Sequence, residues 1–255
     1  MTRILNTRPA PNGSELSDQL TELGFVSVNY PVIVNETIAT HFSELDAHLN
    51  DSECAWVFIS KPSVLFFQHY LSKQSIQEFS PSGKVFAVGN STANELLKSN
   101  PRLNVHTPTD ANSESLLAIP QLTKAKTVVL VKGVGGRGLI QSELSKKRVS
   151  VVELDLYQRT PQLFSERELS QWWDCKVTLA TSVDIAKAIL NNCKTTENDA
   201  KKHEFLQNTS WLVLSERIKE FLIQQGILQS QIHVCEASDN FSIIKLIKQL
   251  ANQDV

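Results

Sequence analysis

Six apolar runs in this sequence end in residues of one chemical character. Thr7 and Arg8 follow the first run, and Ser60 and Lys61 follow Ile59. Gly89, Asn90, Ser91 and Thr92 follow Val88, and Lys132, Gly133, Gly135, Gly136 and Arg137 follow Val131. Thr181 and Ser182 follow Ala180, and Ser215, Glu216 and Arg217 follow Leu214. Hydroxyls and backbone N–H groups at helix N-termini hold anions, and the helix dipole adds to the effect. Arginine adds two-pronged pairing to carboxylate or phosphate. Any one of these Ser or Thr residues is equally well read as a plain helix cap. The set as a whole points to a small ligand bearing several anionic groups.

Two local features invite sharper chemistry. GVGGRG, from Gly133 to Gly138, satisfies the G-x-G-x-x-G pattern, and Glu153 and Asp155 lie about where a ribose-binding acid is expected. The motif sits mid-chain, however, after several strand–helix units, and Arg137 suits a bare anion better than a tight dinucleotide turn. Tyr157 is one of three tyrosines and is followed by Gln158 and Arg159. A phenol there could give a proton to a leaving group, or be an ordinary amphipathic interface tyrosine. No Ser/His/Asp or Cys/His arrangement stands out. The six histidines show no metal-ligand spacing, and the four cysteines, Cys54, Cys175, Cys193 and Cys235, read as buried reduced thiols.

These loops need elements to hold them. Short apolar runs predict strands at Arg3 to Asn6, Val26 to Tyr30, Ala55 to Ile59, Lys84 to Val88 and Thr127 to Val131. Later strands are expected at Val149 to Leu156, Lys176 to Ala180, Trp211 to Leu214 and Ile232 to Val234. Amphipathic segments between them predict helices at Gly13 to Leu23, Ser63 to Ser72, Ser91 to Ser99, Leu139 to Lys146, Val183 to Asn192 and Glu216 to Gln225. Such alternation argues for α/β architecture with parallel sheets and right-handed crossovers, where ligands bind at the carboxyl ends of the strands. The polar stretch from Lys194 to His203 reads as a solvated loop.

A faint internal repeat suggests two similar lobes. VHTPTDANSESLL from Val105 and VCEASDNFSIIKL from Val234 share Asp and Ser at one offset, Asp110 and Ser113 against Asp239 and Ser242. Two extended, proline-marked stretches, NYPVIVNET from Asn29 and Val152 to Pro161, read as connections. If they pair, residues 1–33 and 160–255 form a discontinuous first lobe, and residues 38–155 an inserted second lobe. Facing strand-end loops would then make a cleft.

Composition narrows the function classes. A net charge of −2 supplies no global basic field, which disfavours nucleic acid. No apolar run approaches the roughly 20 residues that span a bilayer, so no membrane role is expected. The N-terminus enters a strand at once and lacks the long apolar stretch of a signal peptide, so a cytoplasmic location is expected. No apolar stripe demands a partner chain, so a monomer is expected.

Taken together, the motifs resemble the uroporphyrinogen-III synthase family, in particular its form in enteric bacteria. The resemblance runs through TRP (Thr7, Arg8, Pro9), FIS ending at Ser60, VGNST from Val88, HTPTD from His106 and KGVGGR from Lys132 to Arg137. It continues through LYQR from Leu156 to Arg159, the pair Thr181 and Ser182, and LSERI from Leu214. Order and spacing along nearly the whole chain carry the likeness, since each motif is weak alone. The family usually has a residue other than Lys61 after the serine.

The resemblance implies two α/β lobes joined by a two-stranded β ribbon. It implies no metal or organic cofactor. It implies cyclisation of hydroxymethylbilane, a linear tetrapyrrole, to uroporphyrinogen III with loss of water and inversion of the last ring. It points to Tyr157 as the catalytic acid. Substrate carboxylates would fall to Arg8, Ser60, Ser91, Thr92, Gly135, Gly136, Arg137, Thr181, Ser182, Ser215 and Arg217. Two readings compete with it: a nucleotide-dependent enzyme using GVGGRG, and a two-lobed binding module resembling a solute receptor. The lack of an export signal argues against the latter.

Overall fold

The computed structural model describes residues 1–136 and 138–253. In chain order the elements begin β1 (Arg3–Asn6), α1 (Asn12–Glu22), β2 (Val26–Asn29), β3 (Ile33–Thr37), α2 (Leu45–Asn50), β4 (Cys54–Phe58), α3 (Lys61–Lys73), β5 (Val85–Ala87) and α4 (Asn90–Ser99). There follow β6 (Val105–His106), α5 (Ser113–Leu117), α6 (Pro120–Thr123), β7 (Thr127–Gly133), α7 (Leu139–Lys146), β8 (Ser150–Pro161) and α8 (Glu166–Leu169). The chain closes with β9 (Val177–Ala180), α9 (Val183–Thr195), α10 (Asp199–Asn208), β10 (Ser210–Val213), α11 (Glu216–Gln224), β11 (Ile232–Val234) and α12 (Asn240–Gln253).

The chain divides into two compact units. One comprises Met1–Val34 and the chain from Thr160 onward, and the other Asn35–Arg159. The first unit holds a five-stranded sheet in the order β11-β10-β9-β1-β2, and its pairings are parallel. The second holds β6-β5-β4-β7-β8 with parallel pairings, and β3 lies beside β8. Hydrogen bonds from Ile38 N to Leu156 O and from Gln162 N to Val32 O run in opposite chain directions, so β3 and β8 form an antiparallel ribbon.

The two sheets have one spatial order, entered at different points of the chain. Reading across, β9, β10, β11, β1 and β2 correspond to β4, β5, β6, β7 and β8. The repeat segments therefore lie at equivalent edge strands: one starts at Val105, the first residue of β6, and the other at Val234, the last residue of β11. Their matched Asp–Ser offset does not survive as a matched cap. Asp239 accepts from Ser242 N at 2.9 Å and from its hydroxyl at 3.0 Å, whereas in the other copy Asn112 accepts from Ser115 N at 2.7 Å.

Central strands are buried on both faces, which is why they read as unbroken apolar runs. Cys54, Trp56 and Phe58 pack towards α3 and α4, while Ala55 and Val57 pack on the opposite face with Ile140 and Leu144 of α7. In the first unit Ile185, Ile189 and Trp211 build one face, and Leu16, Leu20, Ile243 and Ile247 the other.

One expectation is corrected. The stretch expected as a solvated loop, Lys194 to His203, runs from the end of α9 into α10. α10 buries a single large side chain, Phe205, so it has no apolar period to read. Asn198 caps it by accepting from Lys201 N at 3.1 Å, and Phe205 packs edge-on to Trp173. The short helices α2, α5, α6 and α8, of four to six residues, also carry too few turns to show a period.

Candidate functional site

In an open parallel sheet the crevice lies where the strand order reverses, at the carboxyl edge. In the second unit that point falls between β4 and β7. In the first it falls between β1 and β9. The loops leaving these four strands carry Ser60, the Gly133–Gly138 turn, Arg8, and the pair Thr181 and Ser182.

Around β4 and β7 the residues converge on Tyr157. Registering β8 against β7 pairs Lys132 with Asp155 but Gly133 with Tyr157, so β8 carries one extra residue there. Alternation would send Leu156 and Tyr157 to opposite faces. The bulge turns both towards α3, and both join the core cluster on that face. The Tyr157 ring stacks on Phe66, 4.7 Å between centroids and 23° between planes. Beneath it lies Gly133, where an added Cβ would stand 2.6 Å from a ring carbon. The backbone is tied as well, since Val134 N donates to Tyr157 O at 2.8 Å.

The phenol oxygen lies 3.2 Å from Ser60 Oγ. Ser60 caps α3 in a reciprocal box with Ser63: Ser63 N donates to Ser60 Oγ at 3.3 Å, and Ser60 N donates to Ser63 Oγ at 3.1 Å. A local signal, the cap, thus fixes a group that meets Tyr157 from 97 positions away.

Lys132 holds the glycine turn from below. Its side chain is 12 % exposed and pairs with Glu153 at 2.7 Å and Asp155 at 2.9 Å. It also donates to Gly135 O at 3.2 Å. Burial pulls the ammonium down, but hydrogen bonds and attraction from the two carboxylates outweigh it, and its pKa is raised. Both acids proposed for a ribose are therefore committed to a lysine, and Gly133 is occupied by a tyrosine ring. These contacts leave the nucleotide reading of GVGGRG without support. Gly135 and Gly136 sit at φ of +86° and +110° with open space around them, so only glycine adopts the turn without strain. Arg137 lies outside the described residues. Ser91 and Thr92 stand in the first turn of α4, Ser91 exposed and Thr92 buried. Neither is bonded to Tyr157 or Ser60.

In the first unit, Thr7 is fully buried and donates to Leu179 O, tying β1 to β9. Arg8 is partly buried and donates to Asn240 Oδ1 at 2.8 Å. Burial pulls its guanidinium below the ordinary value, and Glu15 pulls the other way. The Arg8 carbonyl presses on Gly13, where a Cβ would meet it at 2.1 Å. Ser182 caps α9, accepting from Ile185 N at 3.1 Å. Ser215 takes the cap position of α11 without a side-chain bond, Thr181 is half-buried, and Arg217 is exposed in the first turn of α11.

Phe66 and Asn240 were not among the sequence-derived residues, and Lys132 and Gly133, named there only as strand-end residues, were not given the roles they hold. Only Lys132 left a usable trace. Glu153 and Asp155 are two apart on a strand, hence on one face, which calls for a cation between them. Among the described residues there is no cluster of His, Cys, Asp or Glu that could hold a metal ion, and no helix is long and apolar enough to cross a membrane.

Known proteins bear the same pattern. The family model described as uroporphyrinogen-III synthase HemD matches residues 14–244. The uroporphyrinogen-III synthase of Escherichia coli K12 is 26% identical over 250 residues, covering 96% of this chain and 99% of that protein. The Salmonella typhimurium LT2 enzyme of the same name is 25% identical over 251 residues, with coverage of 96% and 99%. The crystal structure of uroporphyrinogen-III synthetase from Helicobacter pylori 26695 superposes with a TM-score of 0.65 at 14% identity, over 98% of this chain and 100% of that one, which shows the fold. With a family model spanning all but the two ends of the chain, the protein belongs to the uroporphyrinogen-III synthase family.

Proposed function

We propose that Tyr157 is the proton donor in this enzyme's cyclisation of hydroxymethylbilane to uroporphyrinogen III. The observation that carries this reading is the seating of the phenol at the carboxyl edge, between Phe66 and Gly133 with Ser60 at 3.2 Å. Ser60 Oγ accepts from Ser63 N, so its own proton can point at the phenol oxygen. The phenol proton is then available to a substrate hydroxymethyl group. Its transfer lets the C–O bond break with loss of water and leaves an azafulvene cation. The substituted carbon of the last pyrrole ring attacks that cation, giving a spiro intermediate. That carbon's bond to the preceding methylene then breaks, and the ring's free α-carbon captures the released methylene and loses a proton, which leaves the ring inverted.

The substrate carries four acetates and four propionates, and such a polyanion suits dispersed donors better than one strong charge cluster. Both units provide them on their own carboxyl edges: helix N-termini at α3, α4, α9 and α11, with Arg8, Ser91, Thr92, Thr181, Ser182, Ser215 and Arg217 beside them. Gly135, Gly136 and Arg137 complete the set on the glycine turn. Holding a flexible chain near its reacting geometry is itself catalytic. The enzyme works as a cytoplasmic monomer in this reading and needs no cofactor, nucleic acid or membrane.

The test is incubation with hydroxymethylbilane followed by separation of the product isomers. Excess of isomer III over isomer I is expected from the wild type. Tyr157→Phe is expected to lower turnover far more than affinity, and near-normal turnover in that variant removes Tyr157 from the mechanism. Arg137→Ala is expected to raise KM with less effect on kcat.

A further inference from the structure

Phe241 is 79 % exposed, the one aromatic among the large exposed apolar side chains of the described residues. Leaving a phenylalanine in water forgoes roughly 2 kcal/mol of burial, so its position matters. It stands in the first turn of α12, at the carboxyl edge of the first unit's sheet. Leu228, also exposed, lies before β11 at the other edge and has no such neighbours.

The backbone under Phe241 is pinned. Asp239 caps the turn through Ser242. Asn240 bonds in two directions, accepting from Arg8 Nη1 at 2.8 Å and donating to Gln19 Oε1 at 3.0 Å. The exposed ring thus follows directly on Asn240, the neutral amide that accepts from the partly buried Arg8 guanidinium, which also feels the charge of Glu15. A cation so placed gains from an anion, and the ring face gains from a flat apolar group.

We propose that Phe241 and Arg8 form one subsite, in which a pyrrole ring of the substrate lies against Phe241 while a carboxylate arm of that ring pairs with Arg8. The subsite rests on the tetrapyrrole reading above and adds to it a named platform. A pyrrole carrying acetate and propionate has both features within a few ångströms of each other, and Arg8 bonds the residue that directly precedes Phe241.

The experiment uses the full chain, three substitutions at Phe241 and supporting changes at Arg8 and Trp173. Phe241→Ala is expected to raise KM for hydroxymethylbilane about five- to tenfold with a smaller change in kcat, the size of an aromatic contact plus partial burial. Phe241→Tyr is expected to stay within about twofold, because the ring face is kept. Phe241→Trp supplies a direct readout once Trp173, the one native tryptophan that is only partly buried, is removed by Trp173→Phe, since Trp56, Trp172 and Trp211 are fully buried and the new indole is not. Its red-shifted emission is expected to be quenched saturably by uroporphyrinogen III, and the quench is expected to weaken when Arg8→Ala is added. A Phe241→Ala variant with wild-type KM, or a Phe241→Trp emission indifferent to the product, overturns the subsite. A change of oligomeric state with KM intact makes Phe241 an interface residue and also overturns it. Failure of the wild type to form isomer III would instead overturn the functional reading, so the two failures are distinct.

Discussion

At the residue scale, Tyr157 is defined by what surrounds it. Its ring has Phe66 on one side and a missing side chain, Gly133, beneath. Gly133→Ala would put a methyl group 2.6 Å from the ring, closer than carbon atoms approach, so the tyrosine must shift. The expected outcome is a fall in kcat of about tenfold or more, since misplacing a reacting group by about 1 Å costs on the order of 10² in rate. Steady-state kinetics on a variant with unchanged circular dichroism checks it. The cysteines behave oppositely. Burial raises Cys54 and Cys175 to about 11 and Cys193 to about 12, so they are protonated at neutral pH. Iodoacetamide at pH 7.5 is expected to label them only after unfolding, and fast labelling of the native chain would contradict the burial. That these were buried thiols was legible in the sequence, because each lies in or beside an apolar run. That Gly133 serves a tyrosine was not, because the contact spans two strands.

At the element scale, helix starts do the positioning. Ser60, Gly89, Asn112, Ser182 and Ser215 all hold extended backbone angles at the caps of α3, α4, α5, α9 and α11. Ser182→Ala removes the bond to Ile185 N and is expected to destabilise the first unit by about 1 kcal/mol, read from urea unfolding. Ser60→Ala removes a comparable cap together with the bond to Tyr157, so its kinetic effect should exceed that of Ser182→Ala. Lys132 links β7 to β8 and has a pH signature. Its folded pKa is raised, so its stabilisation is present below the unfolded value of 10.5 and is lost as pH rises through the higher folded value. The urea midpoints of wild type and Lys132→Met are expected to differ most below pH 10.5 and to converge above it. A constant gap across that range would mean the lysine acts through packing alone. Strand and helix cores were readable from periodicity and caps. The weakly apolar α10 and the one-turn helices were not, because packing on neighbours, and not their own pattern, holds them.

For the whole molecule, the telling fact is the shared sheet order entered at two different points, β9-β10-β11 with β1-β2 in one unit and β4-β5-β6 with β7-β8 in the other. The sequence by itself determined the α/β class, the polar character of the strand ends and the family, because strand period, caps and motif order are written in neighbouring residues. Three things only the tertiary structure decided. A bulge opposite Gly133 turns Tyr157 towards Ser60 and Phe66. Lys132 takes the two acids that a nucleotide would have needed. Arg8 meets Asn240, the residue before the exposed Phe241, across 232 positions. Each depends on which strands lie side by side, and strand order is set by how whole faces bury against one another, which no local stretch of sequence records.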